Sequence, residues 1–302
     1  MSIRNRLTLA TALSTVLAGP LAAQDLTIWG LPAFNEAGDA AMLALAEQFG
    51  AENGVEVEYL VVPADVLSER LAAAFEGGAP PDLFMQVGQQ AQFYMSRGLV
   101  RPLGGVLETM RAVDGGIFEN TVAQGMLDGV VHAVPLEVDV VPMFARTDLL
   151  ESVGMGVPQT WEELREASQK MLALDPTLTA FGMPTSASND AESMMRAIVW
   201  SFGGAMFDAS GQTITWNSPE TVAAYQFVAD MFAEGTIPRS TLSWDDAGNN
   251  TAYQTGRTAF TLNPPSIYQW LTENDPELLA NTALIPVPKG PGEKGRSAGI
   301  IS

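Results

Sequence analysis

The chain of 302 residues contains no cysteine and a single histidine, His132. Without thiols there is no disulfide frame and no thiolate nucleophile, so the packed core must do all the stabilising. Lipid anchoring through a modified cysteine is impossible, and the usual histidine- and cysteine-based metal sites cannot be assembled. Basic residues are scarce: 15 lysines and arginines stand against 35 aspartates and glutamates, a formal charge of −20. That excess repels phosphate backbones and anionic headgroups, so nucleic acids and acidic membrane surfaces are excluded as partners. No apolar run is long enough to span a bilayer. No Gly-x-Ser-x-Gly elbow is present to present a serine nucleophile.

What is present begins with MSIRNRLTLATALSTVLAGPLAAQ. Arg4 and Arg6 precede an apolar run from Leu7 to Leu17, then Gly19-Pro20 and Leu21-Ala22-Ala23. This is the pattern of a secretory signal peptide cut after Ala23, and it predicts a periplasmic protein. Removal of residues 1–23 leaves 13 basic against 35 acidic side chains, a charge of −22. Most of these acids read as a solvated, self-repelling surface.

The remaining length and a hydrophobic content of 47% suit two domains, each with its own core. LTIWG reads as a strand. Met42, Leu45, Ala46 and Phe49 recur at helical spacing up to Asn53-Gly54. VEVEYLVV alternates, with Val55, Val57, Tyr59 and Val61 on one face. A helix carrying Leu67, Leu71 and Phe75 follows, then the strand DLFMQV and a helix over 89–97. This alternation predicts an α/β layer on a mainly parallel sheet, with ligands outside the carboxyl ends of its strands. Trp29 to Pro32 and Gln86 to Gln90 lie there.

The pattern restarts after an apolar segment near residue 139. Thr160 and Glu163 form a capping-box signature, and a helix runs from about Asp190 to Phe202. QTITW reads as an edge strand. Ser218-Pro219 opens a helix with Val222, Tyr225 and Val228 inward and Gly235 at its end. TAFTLN and TALIPVP are strands. Domain boundaries are accordingly set at 24–138 and 139–296.

Catalysis is poorly supported. His132 sits within a strand-like stretch and reads as structural. Gly290, Gly292 and Gly295 match Gly-x-Gly-x-x-Gly, but Pro291 and the missing helix argue for a turn. Glu137 and Asp139 share one strand face and carry no predicted cation. Two readings stay open for them: an exposed strand end, or acceptors for the hydroxyls of a sugar. Trp29, Trp200, Phe202, Trp244, Tyr253 and Tyr268 lie near predicted element ends, where a ring can cover the C–H face of a pyranose or join the core. Trp161 and Trp270 read as core.

The order of LTIWG, GGAPPDLFMQVG, DGVVHAVPLEVDVVPMFARTDLL, WSFGG, TWNSPETVAAYQFVADMFAEGTIP, YQTGRTAFTLNPPSIYQW and LIPVPKGPGEKGRSAGIIS resembles the family 1 extracellular solute-binding proteins of bacterial ABC importers, of the maltose-binding, carbohydrate type. The resemblance covers 25–302. It implies an α/β, two-lobe periplasmic binding protein fold with a hinge and an inter-lobe cleft, truncated at its C-terminal end, with one crossing strand instead of two or three and 297–302 as the start of a return crossover. It implies a monomer that carries a sugar-like solute to an inner-membrane ABC permease, without catalytic residues, cofactor or metal. The acid four positions after Pro135, Asp139, stands where maltose binders place a ligand residue. Gln86, Gln89 and Arg196 replace residues expected around maltose, and Pro264-Pro265-Ser266 replaces Gly-Pro-Trp, so a smaller sugar, a polyol or an acidic sugar derivative fits as well. The candidate ligand contacts are Trp29, Gln86, Gln89, Asp139, Trp200, Trp244, Asn263 and Tyr268, with Arg196 for an acidic ligand. A secreted carbohydrate-active enzyme using Glu137 and Asp139, or a sensor-type interaction protein, are the alternatives.

Overall fold

The computed structural model describes residues 26–34, 36–208, 212–297 and 300–301; the expected signal peptide lies outside the described residues. The first half opens with β1 (Leu26–Gly30), α1 (Glu36–Asn53), β2 (Val57–Val61), α2 (Ala64–Glu76), β3 (Leu83–Phe84) and α3 (Gly88–Ser96). The strands form a parallel sheet in the order β2-β1-β3, each joined to the next through a helix. DLFMQV yields only the two residues of β3. Leu67 and Leu71, one helical turn apart on α2, are fully buried with Val62 and Tyr94. Phe75 and Phe84 close this small core around Tyr94, with ring centroids 5.8 and 5.1 Å from it.

α1 forms where expected, but only part of its apolar stripe is buried. Ala46 and Gly50 are its buried residues, while Leu45 and Phe49 are 59% and 48% exposed. Small residues let the helix backbone approach β2, so the bulky stripe turns away from the sheet.

Next come α4 (Val106–Arg111), α5 (Glu119–Val122), β4 (Met126–Leu127) and β5 (Val130–Val131). β4 and β5 are an antiparallel hairpin turned by Asp128-Gly129, both at positive φ, the pairing that a tight twisted hairpin requires. His132 Nδ1 lies 3.1 Å from the Val100 carbonyl, a structural bond as expected.

The chain then passes through β6 (Val140–Val141) into the second half. That half holds β7 (Met143–Arg146), α6 (Thr147–Ser152), α7 (Trp161–Leu174), β8 (Thr179–Phe181), α8 (Asn189–Ser201) and α9 (Pro219–Glu234). It continues with α10 (Gly248–Gln254), β9 (Thr258–Leu262), α11 (Ser266–Asn274), α12 (Pro276–Ala280) and β10 (Thr282–Ile285). Its sheet runs β10-β7-β9-β8, and β8 and β9 are parallel. All five residues of β9 are buried, as befits a central strand covered on both faces. β11 (Ile300–Ile301) returns to pair antiparallel with β6. The stretch expected to begin a return crossover thus lies beside the crossing strand β6.

The helix ends are written in the sequence. Thr160 and Glu163 complete the capping box of α7, Ser188 accepts from the Ala191 N–H, and Ser218 accepts from the Thr221 N–H ahead of Pro219. The second core gathers on Trp161, which is 1% exposed and donates its Nε1–H to Ser201 Oγ at 2.7 Å. On α9 the buried residues are Thr221, Ala224, Phe227 and Met231, whereas Val222 and Tyr225 are exposed. Tyr225 leans edge-on against Trp216, so the aromatic taken as core marks the outer face. QTITW makes a single bridge, Ile214 to Phe207, not a strand. The Gly-x-Gly-x-x-Gly match is a packed turn: a Cβ on Gly290 would stand 2.3 Å from the Ser201 carbonyl oxygen at the end of α8.

Candidate functional site

The second sheet delivers three loops to one edge. β8 and β9 run parallel, so the segment from Met183 to Ser188 and the segment from Asn263 to Pro265 leave from their carboxyl ends. β7 is antiparallel to β9, with Met143 opposite Leu262, so the crossover strand enters at that same edge. The Asn263 N–H donates to the Pro142 carbonyl and fixes the junction at 3.3 Å. In the first half, Gln86 and α3 follow β3 at its carboxyl end. These are the positions at which open α/β sheets bind ligands.

A string of amides and hydroxyls joins the two halves there. Gln86 Nε2 approaches Ser68 Oγ at 3.4 Å, and Ser68 Oγ–H donates to Gln90 Oε1 at 2.9 Å. Gln90 Nε2–H then donates to Asn189 Oδ1 at 2.9 Å, across to the first residue of α8. Asn189 Nδ2–H donates to Asp246 Oδ2 at 3.1 Å, and the Asp190 N–H donates to Asp246 Oδ1 at 3.0 Å. Asp246 thus accepts from the start of α8 at both oxygens, a favourable place for an acid. Deeper in, Asn249 Nδ2 reaches Asp190 Oδ2 at 3.0 Å and Asn263 Oδ1 at 2.8 Å. Asn263 Nδ2 donates to Ser266 Oγ at 2.9 Å.

Carboxyls in this region are pushed towards the neutral form. Burial, with the like charge of Asp246, raises Asp190 to about 7, against an opposing hydrogen bond from Asn249. Burial raises Asp139, and burial with the charge of Asp139 raises Glu137. No cation contributes to any of the three shifts.

The nine candidate contacts fall into distinct groups. Gln86 lies in the amide string, and Gln89 lies outside the residues whose side chains are described. Asp139 is half-buried immediately before β6. Asn263 is 1% exposed, its amide spent on Asn249, Ser266 and the Pro264 carbonyl, so it holds the loops together. Trp244 is half-buried and sits on Gly248: a Cβ there would stand 2.5 Å from Trp244 Cβ. Its carbonyl accepts from Ser186 Oγ, which ties it to the loop after β8. Tyr268 is 43% exposed on α11.

The other three candidates make contacts of other kinds. Trp29 packs on the Val62, Leu67, Leu71 and Tyr94 core of the first half. Arg196 pairs with Glu192 at 3.2 Å and lies 5.3 Å over the Trp200 ring, which itself packs on the second core. At 1.5 Å per residue they stand roughly 10 and 16 Å along α8 from Asn189. Residues not singled out from the sequence are Ser68, Asn189, Asp190, Asp246 and Asn249. For the last four the signal was short polar side chains in SASND and DDAGNN, each beside a helix start, whereas Ser68 lies inside α2 without such a signal. No cluster of three or more histidines, acids or cysteines suited to a metal occurs among the described residues.

Two α/β halves, each offering strand ends to a polar seam and linked by a two-stranded crossover, define a two-lobed binding protein. The chain belongs to the family described as bacterial extracellular solute-binding protein, whose model matches residues 33–302. It is similar to the maltose-bound MalE3 of T. maritima, with 25% identity, a TM-score of 0.78, and coverage of 92% of this chain and 70% of that one. A solute-binding protein of Thermotoga lettingae bound with α-D-tagatose shares the fold at 17% identity and TM-score 0.79, covering 92% and 71%. A binding protein of Brucella abortus (strain 2308) is 24% identical over 240 residues, which are 79% of this chain and 57% of the relative. The chain thus spans just over half the length of that relative. Among the described residues no helix is long and apolar enough to cross a membrane.

Proposed function

We propose that this protein is the solute-receptor part of an ABC importer and holds a sugar or polyol between its two halves. The observation that carries the reading is the seam of Ser68, Gln86, Gln90 and Asn189, which brings neutral donors and acceptors from both halves to the carboxyl ends of β3 and β8. Neutral amides and hydroxyls match a neutral polyhydroxylated solute and need no counter-ion. The nearby half-buried Trp244 offers a ring face, and Asp139 a carboxyl whose burial a ligand hydroxyl would offset. Similar proteins solved with maltose, α-D-tagatose and laminaribiose support this class. An acidic sugar is the weaker reading, because Arg196 is already engaged by Glu192. The chain acts by binding alone, as an exported monomer that docks on a membrane permease after the residues up to Ala23 are removed.

A thermal-shift screen of neutral sugars, polyols and sugar acids tests this. A neutral member is expected to raise the melting temperature saturably. Asp139→Asn is then expected to weaken that binding by about tenfold or more, since a charged acceptor is exchanged for a weaker one. Turnover of a sugar, or preference for a sugar acid, would overturn the assignment.

A further inference from the structure

The link between the halves has a direction. A side-chain amide has a donating end and an accepting end, and its neighbours decide which way it is turned. On the first half, Gln86 Nε2 approaches Ser68 Oγ, so the Ser68 hydroxyl proton is left for Gln90 Oε1. With its oxygen engaged there, Gln90 presents its nitrogen to the second half. On that half, one oxygen of Asp246 accepts from Asn189 Nδ2 and the other from the Asp190 N–H. Asp246 thereby holds the Asn189 nitrogen and turns the Asn189 oxygen to the first half. Gln90 Nε2–H and Asn189 Oδ1 then meet as donor and acceptor at 2.9 Å. From Gln86 to Asn189 every donor points the same way, and the run ends on a carboxyl group. In such a run each bond polarises and strengthens the next.

We infer that Gln90 and Asn189 form a latch between the halves, and that Ser68 and Asp246 are its positioning residues, each fixing one amide so that a donor meets an acceptor. Asp246 then governs closure through Asn189. An amide free to turn would as often bring like ends together, nitrogen to nitrogen or oxygen to oxygen, and the contact would be lost. The latch lies in the seam assigned above to solute binding, but the inference concerns the hold of the halves on each other and stands whatever the solute.

The test uses no solute, so its failure is separate from failure of the sugar reading. Because the chain has no cysteine, Glu58→Cys on β2 and Lys170→Cys on α7 give one label site in each half for a distance measurement by fluorescence transfer. The closed-to-open ratio is expected to fall about threefold or more in Gln90→Ala, which removes the donor. Gln90→Glu sets an acceptor against Asn189 Oδ1, and Asp246→Asn frees the Asn189 amide to turn. Each alone should lower the ratio about as much. Combined, they should restore at least half of the parent ratio, because the freed Asn189 turns its nitrogen to the new carboxylate. Adding Asn189→Ala to that pair should abolish the recovery. An unchanged ratio in Gln90→Ala would overturn the inference. So would losses that simply add in the double variant, or a recovery that survives Asn189→Ala, which would be relief of charge repulsion alone.

Discussion

Replacing Asp190 by asparagine should stabilise the protein, and only above mildly acidic pH. The substitution keeps an oxygen for Asn249 to donate to, so the contact at 3.0 Å survives while the ionisable group goes. Burial and Asp246 hold Asp190 at about 7 in the folded chain, against an ordinary value of 3.8. The folded state therefore binds a proton that the unfolded chain has lost. Stability from this group is fully present below pH 4 and drains away as pH rises to 7. At 1.36 kcal/mol for each tenfold change, the whole loss is roughly 4 kcal/mol as an upper bound. At pH 8 the variant should thus exceed the parent by about 2–4 kcal/mol, and at pH 5 by about 1–2 kcal/mol, allowing for some relaxation around the ionised form. Urea unfolding of both proteins across this range measures the difference directly. Other acids move the two curves together, so the gap between them isolates Asp190. Parallel curves from pH 5 to 8 would refute the reasoning.

Trp161→Phe removes a donor from a fully packed site and leaves a small void. A loss of about 1–3 kcal/mol is expected by denaturant titration, with solute affinity unchanged. Gly248→Ala places a methyl 2.5 Å from Trp244 Cβ and must displace the indole. If that ring carries part of the solute contact, affinity measured by calorimetry should fall about three- to tenfold; unchanged affinity would remove Trp244 from the site.

The helices of the second half were legible because their ends carry local chemistry. Thr160 with Glu163 and Ser218 with Pro219 are decided within one turn and do not depend on distant packing. Faces were less legible. On α9 the choice between Ala224 and Tyr225 depends on which neighbour the helix meets, and Trp216 draws the tyrosine outward. Pattern alone cannot weigh a small buried residue against a large exposed one. The same holds for Gly50 of α1, buried while Leu45 and Phe49 are exposed. At the candidate site, strand ends were located correctly, since Gln86 to Gln90 was marked from element order. The partners of Gln90 were not, because Asn189 lies 99 residues away and nothing local joins them. Arg196 reads in sequence as a contact for an acidic ligand, and its engagement with Glu192 and Trp200 becomes visible once α8 is built.

The ribbon of β6 and β11 has a consequence for the order of assembly. Val141 and Ile300 meet across about 160 residues, so joining them early would forfeit the freedom of a very long loop for a few backbone contacts. The intervening sheet must be in place first, because its edges deliver both ends to each other. This ribbon should form last and loosen first, and amide exchange at Val140 and Val141 should outrun that of β9 by orders of magnitude.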